Sequence, residues 1–219
     1  IHKRFLEAGS DIVETNTFSG TSIAQSEFFV PDPRKTGGRK DEEFFETQVF
    51  GNQRLTEIVH EINVKGAQLT REWCDRIAEK TGRPRYAAGA IGPMTIGLTN
   101  IADANDPAFR VATFDQVKDD YARQVRSLVE GGVDILFVET IFDALNAKAA
   151  LVAIQEVFQQ DGYKLPIIIS AAVGQGGETM TSALKVEAFI NATKHVDPLA
   201  IGMNCSLGPE LMRPHLEDL

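Results

Sequence analysis

The feature that most restricts the fold of this chain is the alternation of short apolar runs with longer amphipathic stretches. Five runs have the length of strands: Asp11–Glu14, Tyr86–Ile91, Asp134–Glu139, Pro166–Ala171 and Leu199–Asn204. Most are almost continuously apolar, the pattern of parallel strands covered on both faces. The stretches between them have legible helix ends. Thr113-Phe114-Asp115-Gln116 fits a capping box, and Val117, Tyr121, Val125 and Leu128 follow on one helical face until Gly131-Gly132. Asp143 can cap the helix carrying Leu145, Ala149, Val152 and Phe158, which Gly162 closes. Leu55, Ile58, Val59, Ile62, Trp73 and Ile77 predict one or two further helices.

The unit also repeats. Leu6 to Phe18 (LEAGSDIVETNTF) is echoed by Val129 to Phe142 (VEGGVDILFVETIF): helix end, glycine, Asp-Ile, apolar strand, Glu-Thr. Repeated strand–helix units specify a barrel or a doubly wound sheet. A (β/α)8 barrel of TIM type is the preferred fold class, incomplete at both ends, with about five of its eight strands present. The chain opens on Ile1 without a Met and stops at Leu219, each inside a helical pattern, so it reads as a piece of a longer polypeptide. All 219 residues are assigned to one partial barrel domain. The stretch from about residue 30 to 54, with PDPRKTGGRKDEEFFE, breaks the rhythm and reads as an inserted, mobile surface loop. Its phenylalanines, with Phe28 and Phe29, are expected to pack in part onto the barrel rather than dock a partner.

Composition narrows the function classes. A net charge of −9 disfavours a nucleic-acid surface, which needs clustered Lys and Arg. No apolar run approaches the roughly 20 residues of a membrane span, and IHKRFLEAGSD is no signal peptide. Cys74 and Cys205 lie far apart and look like reduced intracellular thiols, which predicts a cytoplasmic protein.

In a barrel the chemistry sits at the carboxyl ends of the strands. Those ends carry Glu14, Thr15 and Asn16; Gly92 and Pro93; Glu139 and Thr140; Ser170; and Asn204 and Cys205. Glu139 leaves a buried strand directly, so it is either a functional carboxylate or one that ties a loop to nearby N–H groups. Glu14 has the same two readings. Cys74, on the Trp73 helix, is expected to pack as a small hydrophobe. Cys205 follows a strand, so packing, a nucleophile and a metal ligand all stay open. A nucleophile needs a basic partner, and His195 stands one helix earlier with nothing else to mark it. A metal site needs further soft ligands, which the chain does not supply. His2, His60, His195 and His215 show no zinc-protease spacing and are expected at the surface. Gly174-Gln175-Gly176-Gly177-Glu178 lacks both the Walker lysine and a third dinucleotide glycine, which leaves a flexible βα loop.

Six segments, ETNTFSGTSIAQ, GAIGP, NDPAFR…TFDQ, DILFVETIFDALNAKAAL, IIIS and IGMNCSLGPE, resemble the homocysteine-binding domain of cobalamin-dependent methionine synthases, in the homocysteine S-methyltransferase family. The resemblance implies a (β/α)8 barrel that binds L-homocysteine and a catalytic Zn2+ held by three cysteines. Cys205 then matches one zinc ligand, and the other two, a Cys-Cys pair, are expected beyond Leu219. Glu139 matches the glutamate that holds the amino group of homocysteine; Asn204, Asn16 and Glu14 fall in matched motifs near the pocket. A thiol with a pKa of about 8.5 is mostly protonated at neutral pH, and zinc coordination would remove that proton. The thiolate would take a methyl group from methylcobalamin, carried by a cobalamin-binding module of the same polypeptide, to give methionine. Departures from the family pattern are Met94 after Gly92-Pro93, the loop Thr95–Asn100 and the stretch Gly174–Leu184. The alternatives are a homocysteine methyltransferase that uses a betaine or S-methylmethionine type of donor, and a barrel without catalysis in which Cys205 only packs.

Overall fold

The computed structural model describes residues 1–219. The elements run α1 (His2–Ala8), β1 (Ile12–Glu14), α2 (Ser22–Phe29), α3 (Glu42–Phe44), α4 (Gln53–Thr81), β2 (Tyr86–Ile91), α5 (Phe114–Glu130), β3 (Ile135–Ile141), α6 (Ala144–Asp161), β4 (Ile167–Ala171), α7 (Val186–Thr193), β5 (Ala200–Met203) and α8 (Pro209–Glu217). The strands form one sheet in the order β1-β2-β3-β4-β5, every neighbouring pair parallel. A doubly wound sheet reverses its strand order at a switch point, whereas a barrel wall keeps the order of the chain. The sheet is therefore five consecutive strands of a TIM-type barrel wall.

Alternate strand residues do different work. Leu136, Val138, Ile167 and Ile169 are buried against the helices in one core with Leu128, Leu151 and Ile154. A smaller cluster under β1 holds Leu6, Val13, Cys74, Ile77 and Ala87. The opposite face is the inside of the barrel wall. There Ile12 and Tyr86 keep 43% and 42% of their surface, and Phe137 is half-buried. The sequence predicts cover on both faces; at the sheet's margins the structure gives it on one.

The helix ends follow the sequence. The Gln116 amide N–H donates to Thr113 Oγ1 at 3.1 Å and the Thr113 N–H to Gln116 Oε1 at 3.1 Å, closing both halves of the capping box. Asp143 accepts the N–H of Leu145 at 2.9 Å, and Gly162 ends α6 in the left-handed conformation, φ 74°. The apolar positions from Leu55 to Ile77 form a single helix of 29 residues, α4. No helix is long and apolar enough to cross a membrane.

The stretch from 30 to 54 differs from the expected surface loop. It holds a 3-10 turn (Pro33–Thr36), α3 and a π-helix (Phe45–Phe50), and its last two residues already belong to α4. Phe44, Phe45 and Val49 are buried in the main core, with the Phe44 and Phe45 rings edge to face at 5.3 Å. Its charges conceal an apolar stripe that belongs to the fold. Phe28 and Phe29, just before it, stay exposed.

The echoed Asp-Ile pairs also have a structural role. Asp134 accepts the N–H of Ala87 at 2.7 Å and pairs with Arg71, while Asp11 pairs with Arg85, at the amino ends of the strands. Near the opposite end, fully buried Asp120 reaches from α5 to the start of α2 and accepts the N–H groups of Ser22 and Ile23 at 3.0 and 2.8 Å. A carboxylate there meets two unpaired amides and the positive end of the helix dipole. Asp120→Ala leaves those amides buried without a partner and is expected to cost about 2–4 kcal/mol in urea denaturation, with Asp120→Asn closer to the parent protein.

Candidate active site

At the carboxyl end of β1 the backbone ladder runs out and hydroxyls continue it. Thr15 Oγ1 accepts the N–H of Ala90 at 2.9 Å, Thr17 Oγ1 donates to the carbonyl of Ala90 at 2.8 Å, and the two hydroxyls lie 2.6 Å apart. Val13, Thr15 and Thr17 are buried, so Glu14 and Asn16, which alternate with them, are turned out of the wall. Gly92, at the end of β2, donates to the carbonyl of Phe18 at 3.0 Å. A Cβ at Gly92 would lie 2.6 Å from that oxygen, so only glycine allows the approach. Gln124 and Tyr121 on α5 fasten the same loops, Gln124 Nε2 to the carbonyl of Thr17 at 2.9 Å and Tyr121 Oη to that of Gly92 at 3.2 Å. Neither residue stands out in the sequence, since both read as part of an ordinary amphipathic helix.

Glu139 leaves β3 almost completely buried, 8% exposed, and Glu14 from β1 faces it across the end of β2. Burial first, and then the charge of Glu14, push the Glu139 carboxyl up to about 7. Burial raises Glu14 as well, against a lowering by its hydrogen bond with Glu139. The echoed strands therefore deliver their two glutamates to one place. Two carboxyls so placed repel one another when both are charged, and a cation between them would relieve that repulsion.

On the far side of Glu139 the chain makes a left-handed step at Thr140, φ 54°, where the pairing of β3 with β4 becomes irregular. Asn204 at the end of β5 spans this step. Its Oδ1 accepts from the Thr140 N–H at 3.2 Å and from Ser170 Oγ at 2.8 Å, and its Nδ2 donates to Thr140 Oγ1 at 2.7 Å. The ends of β3, β4 and β5 are thus joined through one carboxamide. Cys205, the next residue, is also left-handed, φ 52°, and its thiol is exposed. Ser206 fixes this turn by accepting the N–H of Val173 at 3.0 Å.

The remaining candidates separate clearly. Asn16 is exposed and makes no side-chain hydrogen bond; with Glu14, Ile12, Phe5 and Leu69 it lines a cavity of about 550 Å³ beside β1. Cys74 is buried with its thiol raised to about 11 by burial, as expected of a packing residue. His195 lies in the turn before β5, at the other end of the strand from Cys205, so the two are not partners. His60 and His195 are exposed, whereas His2 and His215 are half-buried. A larger cavity, about 1010 Å³ among Tyr163, His195 and Leu199, sits at that opposite end and contains no glutamate. Among all 219 residues no three His, Cys, Asp or Glu side chains stand together as a metal site.

A family model described as homocysteine S-methyltransferase matches residues 1–219. The chain belongs to that family. Among solved structures, the apo form of the homocysteine methyltransferase MmuM from Escherichia coli is similar over 100% of this chain, at 14% identity and a TM-score of 0.64. This chain spans 64% of the length of that one. The oxidized form of the same enzyme gives a TM-score of 0.52 at 11% identity, covering 82% of its chain. At these identities the likeness is one of fold, and it agrees with the barrel wall described above.

The carboxyl pair makes folding depend on pH in a defined direction. Glu139 binds its proton more tightly in the folded state, so its contribution is complete below 4.5 and is lost as pH rises towards about 7. Glu14→Gln removes the facing charge. It is expected to lower the Glu139 midpoint, followed by 13C NMR of the carboxyl carbons, and to flatten the fall in stability across that window.

Proposed function

We propose that this chain forms the homocysteine-binding part of a methyltransferase that converts L-homocysteine to methionine, and that Glu139 holds the substrate's ammonium group. The observation that carries this reading is the buried Glu139 carboxyl, paired with Glu14 and linked through Thr140 and Asn204 to the exposed Cys205. An ammonium ion placed between the two glutamates would lower both carboxyl pKa values and take charge-assisted hydrogen bonds from them. Held by its amino group there, homocysteine would extend its sulfur along the rim, with Asn16 on the β1 side and Asn204 and Cys205 on the β5 side. In the reaction the thiol loses its proton, and its sulfur lone pair forms the bond to the methyl carbon. The bond from that carbon to the donor breaks, with its electrons leaving on the donor. Fixing the substrate at a second point turns this displacement into one between oriented partners.

Zinc belongs to the reading as the ion that makes a bound thiol a thiolate at neutral pH. The donor set present meets it only in part. Cys205 is exposed at the rim, whereas Cys74 is buried beneath β1 and β2. Cys205 would be one ligand, and two further sulfurs would have to come from outside these residues. The likeness of ETIFDALNAKAAL and GMNCSLGPE to the cobalamin-dependent enzymes supports methylcobalamin, on a neighbouring module of the polypeptide, as the donor.

Two measurements test this. In the complete enzyme, Glu139→Gln is expected to weaken L-homocysteine by about 10–100-fold, the worth of a buried charge-assisted contact, and to leave an analogue without the amino group unaffected. Equal losses for both compounds in calorimetry would remove Glu139 from the ammonium site. The 219-residue chain, loaded with zinc and dialysed, is expected to retain well under one ion per chain by atomic absorption. Tight one-to-one retention would mean that these residues complete a metal centre.

A further inference from the structure

The hydrogen bonds around Asn204 have only one consistent arrangement of protons. Its Oδ1 lies against two donors, the Thr140 N–H and Ser170 Oγ. A flipped amide would point its own N–H groups at the first of these, so Nδ2 is the atom that meets Thr140 Oγ1 at 2.7 Å. A hydroxyl that accepts from an amide has its single proton free for another acceptor. For Thr140 that acceptor is Glu139 Oε2, 3.3 Å away.

The backbone supplies a second, independent observation. Thr140 is β-branched and held at φ 54°, where glycine would be unstrained. A strained threonine at a step that glycine would make freely implies that its hydroxyl has a task. Ser170, on the intervening strand, keeps the Asn204 carboxamide from turning.

We propose that Thr140 and Asn204 are positioning residues for Glu139: Asn204, anchored by Ser170, turns the Thr140 hydroxyl proton onto the Glu139 carboxylate and so fixes that carboxylate relative to Cys205. The consequence for catalysis rests on Glu139 being the group that holds the substrate's ammonium. The network would stabilise the charged form of Glu139 against burial and against Glu14, the charged neighbour that opposes it. Substrate would then meet a carboxyl group held in one orientation and biased towards its charged form.

The test follows the Glu139 carboxyl directly, by 13C NMR titration of the 219-residue chain, and needs no substrate. Thr140→Val and Thr140→Gly both remove the hydroxyl, the glycine variant without backbone strain. Each is expected to move the Glu139 midpoint above its starting value of about 7, and Thr140→Ser to restore it. Ser170→Ala, which removes only the anchor, is expected to give a smaller upward shift. A Thr140→Gly protein that folds and titrates like the parent would overturn the proposal, as would a Thr140→Ser protein that shifts as far as Thr140→Val. If the midpoints move as expected while Glu139→Gln leaves homocysteine binding intact, the positioning network stands and the substrate assignment falls.

Discussion

A parallel strand that ends at a barrel rim leaves its last amides and carbonyls without ladder partners, and buried groups of that kind must be satisfied. In this molecule side chains take over where the ladder stops. Thr15 and Thr17 extend the pairing of β1 with β2, and Asn204 bridges the ends of β3, β4 and β5. Gln124 and Tyr121 reach in from α5 to the loops above. The position of every candidate functional group depends on this substitution. Glu14 and Asn16 face outward because their threonine neighbours are bound inward, and Cys205 stands at the rim because Asn204 is tied down beside it.

The architecture was legible because it is written in periodicity and caps. The five apolar runs become the five strands, within one or two residues at each end, and the caps at Thr113 and Asp143 form as their residue types predict. The 30–54 stretch was not legible in the same way. Its prolines, glycines and charges mark a loop, and the packing expected of its phenylalanines holds for Phe44 and Phe45, but the short helical turns that carry them and Val49 into the core have no local signature. The length of α4 was ambiguous for a different reason: Gly66, at its middle, reads in sequence as a break between two helices, yet the helix runs straight through it.

The candidate site was legible in its members and not in its relations. Glu14, Glu139, Asn204 and Cys205 can be named because the strand ends can be found. That Glu14 and Glu139 share one charge environment depends on strand order, since β2 alone separates β1 from β3. The link from Thr140 to Asn204 crosses 64 residues of sequence and depends on a left-handed turn at a residue type that seldom makes one. The echo between the two Glu-Thr segments was the available signal. It preserves structure at the amino ends, through Asp11 and Asp134, and gathers acid groups at the carboxyl ends.

The inner surface of the wall has a practical consequence. Ile12 and Tyr86 are wetted, and β1 and β5, the outermost strands, each have one flank with no neighbour. Unpaired flanks invite strand addition from other molecules, and oily surface draws them together. Here the flanks measure only three and four residues, too short to template an extended ribbon. Self-association of the isolated polypeptide in the test tube would therefore be governed by its greasy trough rather than by its strand edges. Salt-insensitive clumping that mild detergent reverses would be its signature, and polar replacements at Ile12 and Tyr86 would be the remedy.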